Sequence, residues 1–390
     1  MVKNSIIWAI GIAIAIFSGL VAVGAIAKNK APQIAIKLQP ANGFAAENLA
    51  STLTKSLIQE NGGKFPDQVN PNVKKLARQA FIAEPIAPQA VALLALGVSE
   101  RKRRELMQDA LSLSRREQLV TVWMITDSVA REDVPAILNQ YDTMVRTSSA
   151  AASAVIPVMA GALANDSFIA PFKSLLIKQP PWANQFWATV VGIPASLGNA
   201  ARLREELYKP NESDDSYRDA ELINALISGK KFDQAQRLYH LLVGQSQTDV
   251  LVENYSFETD PIYPPIDWQL FSTGEYGAVI TDGKLVLSAI RNSGGLFARQ
   301  LVKLPPQVLT MDVRSDGAFS NRPQIFLTLT CIQAIDTVPR PIRIPLGRKI
   351  SNLRIDNSRS GCEFYWLDIN GRASESGDGF DITIDAISLR

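Results

Sequence analysis

The side chains that most often do chemistry are scarce in this chain. Its 390 residues include one histidine, His240, and two cysteines, Cys331 and Cys362. A Ser-His-Asp triad or a Cys-His dyad would have to use His240, which lies in the apolar helical pattern Leu238-Tyr239-His240-Leu241-Leu242, where a structural role is far commoner. One histidine excludes a multi-histidine metal centre, and two cysteines exclude a four-cysteine zinc site or an iron–sulfur cluster.

Paired carboxylates are the remaining catalytic option, because a glycosidase places an acid and a base on either side of the bond that it cleaves. Glu363, Asp368 and Asp378 are available in the C-terminal third, but nothing in their spacing selects a pair. The sequence also has no phosphate-binding P-loop and no dinucleotide fingerprint. We therefore predict that the protein is not an enzyme, and we keep a glycan-active enzyme as the least favoured alternative.

Composition indicates a folded protein without a nucleic-acid partner. The formal net charge is +2, with 46% hydrophobic and 20% charged residues, and this near-neutral balance gives no sign of a polyanion binder. The one basic run, Arg101-Lys102-Arg103-Arg104, is surrounded by acidic residues and lacks the interleaved aromatics that stack on bases. A solvated, salt-bridged helix face is the favoured interpretation of this run, and contact with an anionic polymer or lipid head groups is the alternative.

The N-terminal segment predicts a membrane anchor. Residues 5–27 contain no charged residue, and Lys3, Lys28 and Lys30 flank them. A helix of this length can cross a hydrocarbon core of about 30 Å. A cleaved signal peptide stays open as the alternative, because Ala25-Ile26-Ala27 has the small-x-small pattern of a cleavage site. We favour the anchor, since the apolar stretch is longer than the roughly 7–15 residues usual for signal peptides.

Apolar residues recur at three- and four-residue steps through the middle of the chain, which predicts a series of helices. Short connections carrying Pro, Gly, Asn or Asp separate these helices, as helix ends require. The predicted helices are Phe44–Gln59, Pro71–Ala83, Pro88–Gly97, Arg101–Leu113, Glu117–Val129, Val134–Arg146, Ala150–Leu163, Phe168–Ile177, Trp182–Val191, Ala200–Tyr208, Asp219–Ser228 and Phe232–Val243.

Two of these segments resemble the second helix of a tetratricopeptide repeat. They are Lys231-Phe232-Asp233-Gln234-Ala235-Gln236-Arg237-Leu238-Tyr239 and Glu132-Asp133-Val134-Pro135-Ala136-Ile137-Leu138-Asn139-Gln140-Tyr141, and a weaker copy spans 99–113. The match is degenerate, because Ile137 stands where the repeat usually has alanine. The resemblance implies a helical solenoid whose concave face binds a protein partner, and an ordinary helical bundle is the alternative.

After about residue 250 the helical period stops and short strand patterns begin. The predicted strands are 279–280, 284–290, 309–313, 324–332, 342–345, 362–369 and 380–389. Many short alternating strands predict an antiparallel sandwich, and roughly 140 residues suffice for a core of its own.

The two ends of this region resemble the galactose-binding-like jelly rolls, and more narrowly their carbohydrate-binding modules. The opening reads Asn254-Tyr255-Ser256-Phe257-Glu258 and then Pro264-Pro265-Ile266-Asp267-Trp268, and the last strand reads Phe380-Asp381-Ile382-Thr383-Ile384-Asp385-Ala386-Ile387-Ser388-Leu389. The resemblance covers the whole region. It implies that Phe257 and Trp268 are core residues that close the sandwich.

The same resemblance implies a structural calcium. In that family the Glu of the first motif and the late Asp often bind the ion, so the candidate ligands are Glu258 and Asp385. Carboxylate oxygens suit calcium. The alternative is that the two side chains cap turns or pair with arginine, and the protein then has no cofactor.

A saccharide site needs exposed aromatic faces together with convergent polar groups. The candidates are Tyr365, Trp366, Tyr276, Phe297, Arg291 and Asn292. Tyr365 and Trp366 are neighbours on a predicted strand and must point to opposite faces of the sheet. At most one of them belongs to the core unless the sheet is covered on both sides. The alternative is that these aromatics are core residues.

Cys331 and Cys362 lie in neighbouring strand patterns of the predicted sandwich. An oxidising compartment would permit a disulfide between them, and two buried thiols are the alternative.

The sequence thus predicts a multidomain α and β protein. The predicted parts are a transmembrane anchor or signal segment at 1–30, a tetratricopeptide-like helical domain at 31–249 and a galactose-binding-like β-sandwich at 250–390. We expect a membrane-anchored envelope adaptor whose bulk lies outside the cytoplasm of a bacterium, with a protein partner on the repeats and a polysaccharide on the sandwich. This combination resembles accessory proteins of bacterial exopolysaccharide assembly or export. The second hypothesis is a purely structural scaffold without a sugar ligand.

Overall fold

A computed structural model describes residues 2–62, 65, 69–209, 216–244, 251–316, 324–333, 339–346, 350–375 and 378–390, and the side chains of residues 2–13, 16, 216, 217 and 316 lie outside the description. The chain divides into two compact units. The first comprises Met1–Met159 with Pro180–Trp182, and the second comprises Ala160–Gln179 with Ala183–Arg390.

Helices make up the N-terminal half of the chain. They are α1 (Val2–Lys30), α2 (Pro32–Leu38), α3 (Gly43–Glu60), α4 (Pro71–Ala83), α5 (Pro88–Ala95), α6 (Glu100–Leu113), α7 (Gln118–Ala130), α8 (Val134–Thr147), α9 (Ser149–Ala162), α10 (Ile169–Leu176), α11 (Ala183–Val190), α12 (Leu197–Leu207), α13 (Ser216–Ser228) and α14 (Phe232–Val243). The predicted helix at 168–177 begins with a 3₁₀ turn, Asp166–Phe168.

Side-chain caps and prolines fix several of the helix starts. The carboxamide of Asn42 accepts a hydrogen bond from the Ala45 N–H, and the carboxylate of Asp133 accepts one from the Ala136 N–H. These bonds satisfy backbone donors that a helix start leaves without an intrahelical partner. Helices α2, α4, α5 and α8 carry proline in the first turn, where the missing N–H costs no helical hydrogen bond.

Consecutive helices from α1 to α8 pack on one another, and α5 also contacts both α3 and α7. This is the contact pattern of stacked helix pairs. Small residues allow close approach: Ala50, Ala77, Ala92 and Ala110 are fully buried in one apolar cluster. The first unit is therefore a helical, repeat-like region, as the sequence predicts.

Within the described part of the chain, no single helix has the length and apolar character of a bilayer-spanning segment, whereas the bent pair Ser149–Ala162 and Asp166–Leu176 has them by length and composition.

The C-terminal part is an antiparallel two-sheet β-sandwich. Its strands are β1 (Gln269–Leu270), β2 (Tyr276–Thr281), β3 (Lys284–Ala289), β4 (Gly294–Lys303), β5 (Val308–Asp316), β6 (Gln324–Cys331), β7 (Ile342–Leu346), β8 (Ile350–Asp356), β9 (Phe364–Arg372) and β10 (Phe380–Leu389). We call the sheet of order β1-β4-β9-β6-β7 the front sheet and the sheet of order β2-β3-β10-β5-β8 the back sheet.

The inner faces of both sheets form one core. Phe257 and Trp268 lie in this core, fully buried, with their ring centroids 5.6 Å apart, as the opening motif predicts. Strands β1, β4 and β8 and helix α2 are not among the predicted elements. The sheets therefore contain more strands than the alternation pattern alone reveals.

Helix α14 packs on one end of the outer face of the front sheet. The Phe232 ring lies 5.1 Å from the Phe364 ring, and the Asp233 carboxylate lies 2.6 Å from the ammonium group of Lys303. The Tyr239 hydroxyl donates a hydrogen bond of 2.8 Å to Oδ1 of Asp267. The last helix of the chain and the sandwich are thus joined by apolar, ionic and buried polar contacts.

Asp267 is the polar centre of this junction. Its second oxygen, Oδ2, accepts hydrogen bonds from the backbone N–H groups of Ile262 and Tyr263, both at 3.0 Å. Burial and the nearby carboxylates of Asp267 and Glu253 raise the pKa of the Tyr239 hydroxyl, so the hydroxyl keeps its proton and acts as the donor.

A buried carboxylate in the first unit caps a helix from a distance. Oε1 of Glu47, on α3, accepts hydrogen bonds from the backbone N–H groups of Gln89 (2.8 Å) and Ala90 (3.2 Å) at the start of α5. The residue before that helix, Ala87, has no side chain that could cap it. Burial raises the pKa of the Glu47 carboxyl, although the two backbone hydrogen bonds oppose the shift.

We predict that Glu47→Gln and Glu47→Ala affect α5 in different ways. Glutamine keeps an acceptor oxygen, so α5 remains capped at every pH. Alanine leaves two buried N–H groups without a partner and lowers the free energy of unfolding by about 1–3 kcal/mol. The pKa of the Glu47 carboxyl is higher in the folded protein than in the unfolded chain. As pH rises from the unfolded-state pKa through the folded-state pKa, the wild-type protein therefore loses stability relative to Glu47→Gln.

Hydrogen–deuterium exchange of peptides that cover α5, between pH 4 and pH 8, measures this effect. The exposed Glu60→Gln, at the end of the same helix α3, is the matched control and should leave exchange unchanged. Equal exchange in Glu47→Ala and wild type would contradict the capping role.

We also predict that Tyr239→Phe destabilises the second unit by about 1–3 kcal/mol, because it removes the donor to a buried carboxylate oxygen. Urea unfolding of the full chain, followed by tryptophan fluorescence, provides the measurement. Tyr255→Phe alters an exposed tyrosine of the same region and should leave the midpoint unchanged. Coincident unfolding curves for Tyr239→Phe and wild type would show that the hydroxyl is dispensable.

Candidate functional site

The other end of the outer face of the front sheet carries aromatic, charged and amide side chains. Because side chains alternate between the two faces along β9, Tyr365, Leu367 and Ile369 point into the sandwich core. Trp366, Asp368 and Asn370 therefore lie on the outer face. Their neighbours on the outer face of β4, β6 and β7 complete a patch that we call the platform, made of Trp366, Asp368, Asn370, Arg299, Phe326 and Arg343.

Strand register arranges the platform in rows. Asp368 pairs with Arg299 on β4 and with Thr328 on β6, and Thr328 pairs with Arg343 on β7. In the next row Asn370 pairs with Phe326. Since adjacent strands are about 4.8 Å apart, each row presents side chains at regular intervals across the sheet.

An ion pair fixes the centre of the platform. The Arg299 guanidinium meets the Asp368 carboxylate through two hydrogen bonds, of 2.7 Å and 2.9 Å. The Arg299 side chain is 29% exposed and that of Asp368 is 13% exposed. The hydrogen bonds to Asp368 raise the pKa of Arg299 above its ordinary value. This two-bond geometry holds both planes in a defined orientation.

An arginine guanidinium lies over each of the two aromatic rings of the platform. The Arg299 guanidinium lies 4.9 Å from the ring centroid of Trp366, and the Arg343 guanidinium lies 3.4 Å from that of Phe326. Arg343 is exposed, and Trp366 and Phe326 are half-buried. Stacking on a ring restricts a guanidinium to few orientations while its in-plane N–H groups stay able to donate.

The predicted saccharide residues take different places. Tyr365 is 3% exposed, and its hydroxyl donates a 2.7 Å hydrogen bond to Oδ1 of Asn357. Phe297 is fully buried, with its centroid 5.1 Å from that of the partly buried Tyr276. Tyr365 and Phe297 are thus core residues, and Trp366 is the predicted aromatic on the platform.

Asn292 and Arg291 lie at the rim. Both are exposed in the loop before β4. Oδ1 of Asn292 accepts a 2.8 Å hydrogen bond from Arg372, at the end of β9. This contact brings one of the predicted polar residues to the edge of the platform.

A second candidate surface lies on the back sheet. An open groove of about 780 Å³ follows the outer face of β2 and β3 and the start of β10. Its lining includes Ser272, Glu275, Tyr276, Ser288, Asp378 and Asp381. The groove therefore combines hydroxyl groups with three carboxylates, and its two described aromatic residues, Tyr276 and Phe380, are partly buried against the sandwich core.

The two candidate calcium ligands lie in different surroundings. Glu258 is exposed in the loop after the opening motif, and Oδ1 of Asp385 lies 3.2 Å from the ammonium group of Lys284. Among the described residues, no three His, Cys, Asp or Glu side chains form a group that could hold a metal. Calcium binding by Glu258 and Asp385 stays a prediction.

Cys331 and Cys362 form a disulfide, with their Cα atoms 6.2 Å apart. Cys331 ends β6, and Cys362 stands two residues before β9. Phe326, Trp366 and Asp368 lie on these two strands, so the disulfide links the strands that support the platform and closes a loop with a sequence separation of 31.

Sequence reasoning missed Arg299, Phe326 and Arg343 as platform residues. Arg299 lies on β4, whose alternation is interrupted by a register shift between Leu296 and Ala298. Beyond that shift, the sequence Arg299-Gln300-Leu301-Val302-Lys303 is a strand signal that could have placed the arginine beside Asp368.

Comparison of the chain with protein-family models and with curated proteins finds no match.

We predict that Tyr365→Ala destabilises the protein more than Trp366→Ala does, because the two side chains lie on opposite faces of β9. Removing the buried ring of Tyr365 leaves a cavity and costs about 3–5 kcal/mol of unfolding free energy, whereas the half-buried Trp366 leaves a gap that is open to water and costs clearly less. Urea unfolding of the full chain tests this order. Equal losses in the two variants would mean that Trp366 is a core residue and not part of a binding face.

Proposed function

We propose that the protein is a non-catalytic, membrane-anchored adaptor of the cell envelope. It binds a saccharide on the platform of the β-sandwich and a protein partner on the helical repeats. The observation that carries the proposal is the outward-facing Trp366 ring, framed by the paired Arg299 and Asp368 and by Asn370.

The platform has the chemistry that a sugar ring needs. The C–H face of a sugar stacks on an aromatic ring, and its hydroxyls exchange hydrogen bonds with carboxylate, guanidinium and amide groups. Trp366 supplies the ring, Asp368 and Asn370 supply acceptors, and Arg299 supplies donors. These side chains stand on strands, which hold them more rigidly than loops do. The two-sheet sandwich and its end motifs support an assignment to the galactose-binding-like jelly rolls.

The helical unit supports the protein-binding half of the proposal. Its stacked helix pairs resemble tetratricopeptide repeats at residues 132–141 and, less closely, at 99–113. Repeat arrays of this kind offer an extended surface to peptides or proteins. Two residues of the basic run at 101–104 are held in ion pairs: Arg104 of α6 binds Asp127 of α7 at 2.8 Å, and Lys102 binds Glu105 of its own helix at 2.9 Å.

Two features support a place at the membrane and outside the cytoplasm. The segment at 5–27 has no charge and is long enough for a bilayer core of about 30 Å, and the side chains of residues 5–13 and 16 lie outside the described part. The disulfide between Cys331 and Cys362 is favoured in an oxidising compartment. We place the protein at the inner membrane and periplasm of a bacterium, in exopolysaccharide assembly or export.

A purely structural scaffold is the second candidate function. Helix α14 packs on one end of the front sheet through Phe232 and Asp233, so the outer face of the sheet can serve protein packing. In that case the platform would bind a protein and no sugar. A glycan-active enzyme would instead need two free carboxylates, and Asp368 is held by Arg299.

Binding of the full-length protein, in detergent, to a panel of bacterial polysaccharides tests the proposal. We predict saturable binding that Trp366→Ala weakens at least tenfold, since a tryptophan at the centre of an interface commonly contributes 2 kcal/mol or more. Repeating the measurement with calcium and with a chelator tests the ion at Glu258 and Asp385.

Tyr276→Ala, in the groove of the back sheet, is the matched aromatic control and should bind as wild type does. Loss of binding in Tyr276→Ala with retention in Trp366→Ala would move the site to the groove. Absence of binding across the panel would favour the structural scaffold.

A further inference from the structure

Basic side chains dominate the front sheet around the platform. On the described outward-facing positions of β4, β6, β7 and β9, the cationic residues are Arg299, Lys303, Arg343 and Arg372, and the one carboxylate is that of Asp368. Lys303 lies at the end covered by α14, where Asp233 neutralises it at 2.6 Å. Arg299 neutralises Asp368 in the same way. Among the described positions, the open end of the front sheet therefore keeps a positive charge, carried by Arg343 on the platform and by Arg372 at its edge.

These two arginines are placed to meet a ligand that lies on Trp366. Arg343 is in the row that contains Asp368, three strands from Arg299. Arg372 is on β9 itself, six residues beyond Trp366, and is held by Asn292 at 2.8 Å. At about 3.3 Å per residue the distance along β9 is about 20 Å, which several sugar units of a polymer can bridge.

The geometry of Arg343 suits a carboxylate. Its guanidinium lies 3.4 Å from the centroid of the Phe326 ring, so the ring fixes one face of the cation. The N–H groups lie in the guanidinium plane, and their fork matches the two oxygens of a carboxylate. Pre-positioning by the ring reduces the side-chain entropy that binding would otherwise cost.

The back-sheet groove has the opposite charge. Glu275, Asp378 and Asp381 line it, so a polyanion that is attracted to the platform is repelled from the groove. The formal net charge of the chain is only +2. The separation of charge between the two faces is therefore a local arrangement and does not follow from composition.

From this arrangement we infer that the ligand of the platform is an anionic saccharide, a polymer whose sugar units carry carboxylates in the manner of uronic acids. Trp366 stacks on a sugar ring, and Arg343 and Arg372 bind the carboxylates of neighbouring units. This inference rests on the proposed function, and it adds the chemical class of the saccharide. Because charge attraction contributes to affinity, binding weakens as salt shortens the screening length from about 10 Å at 0.1 M.

The experiment compares uronic-acid polysaccharides with their carboxyl-reduced, neutral forms, using the full-length protein in detergent. Each pair has the same backbone and linkage and differs in charge. We expect the acidic member of at least one pair to bind at least tenfold more tightly than its neutral form, and this preference to shrink as salt rises.

The variants Arg343→Gln and Arg372→Gln test whether these two arginines bind the carboxylates of the polymer. Each variant should weaken binding of the acidic polymer several-fold to tenfold and reduce the salt dependence of that binding. Each should leave the melting temperature of the protein unchanged. Arg354→Gln makes the same charge change at an exposed position of β8 in the back sheet and should bind as wild type does. Arg343→Lys keeps the charge without the fork and should recover only part of the affinity.

The outcomes separate the two proposals. Equal or tighter binding of the neutral forms would overturn the inference about charge and leave the saccharide function in place. Failure of both members of every pair, and of the wider polysaccharide panel, would overturn the proposed function together with the inference. An acidic preference that Arg354→Gln reduces as much as Arg343→Gln does would show nonspecific attraction and overturn the assignment to the platform.

Discussion

The alternation of side chains along β9 is the constraint on which the candidate site depends. β9 is the central strand of the front sheet, with β4 on one side and β6 on the other. Its inward residues, Tyr365, Leu367 and Ile369, are apolar or aromatic and fill the sandwich core, and this burial sets the register of the strand. A shift by one residue would bury Asp368 and expose Leu367, which is unfavourable on both counts. The core thus determines that Trp366 faces outward.

A second constraint divides the outer face of the front sheet into a covered and an open end. Phe232 of α14 packs on Phe364 at the covered end, and the Tyr239 hydroxyl donates a hydrogen bond to Asp267 in the loop before β1. The junction makes α14 part of the packed unit that contains the sandwich. The open end leaves polar and aromatic side chains in contact with solvent. A structural role for α14 and a binding role for the platform are therefore compatible on one sheet.

Much of the secondary structure follows from local patterns. The twelve predicted helices are all present, with ends within three residues, because their amphipathic period and their terminal prolines, asparagines and aspartates act locally. Three strands were missed for identifiable reasons. β4 has its alternation interrupted near Phe297, β8 is a polar edge strand, and β1 has only two residues. Helix α2 has seven residues, which is too short to show a period.

The sequence alone determined the order of a helical region and a β-sandwich, the burial of Phe257 and Trp268, and the rule that Tyr365 and Trp366 point to opposite faces. The order of the two regions and the opposite faces of the two rings depend on composition or on a period of few residues, whereas the burial of Phe257 and Trp268 was implied by the resemblance of the opening motif. Only the tertiary structure decided which of the two rings is outward, that Arg299 and Arg343 join Trp366, and that α14 covers one end of the sheet. These contacts join residues far apart in the chain. They depend on strand order and register, which the packing of the whole core selects and no local pattern encodes.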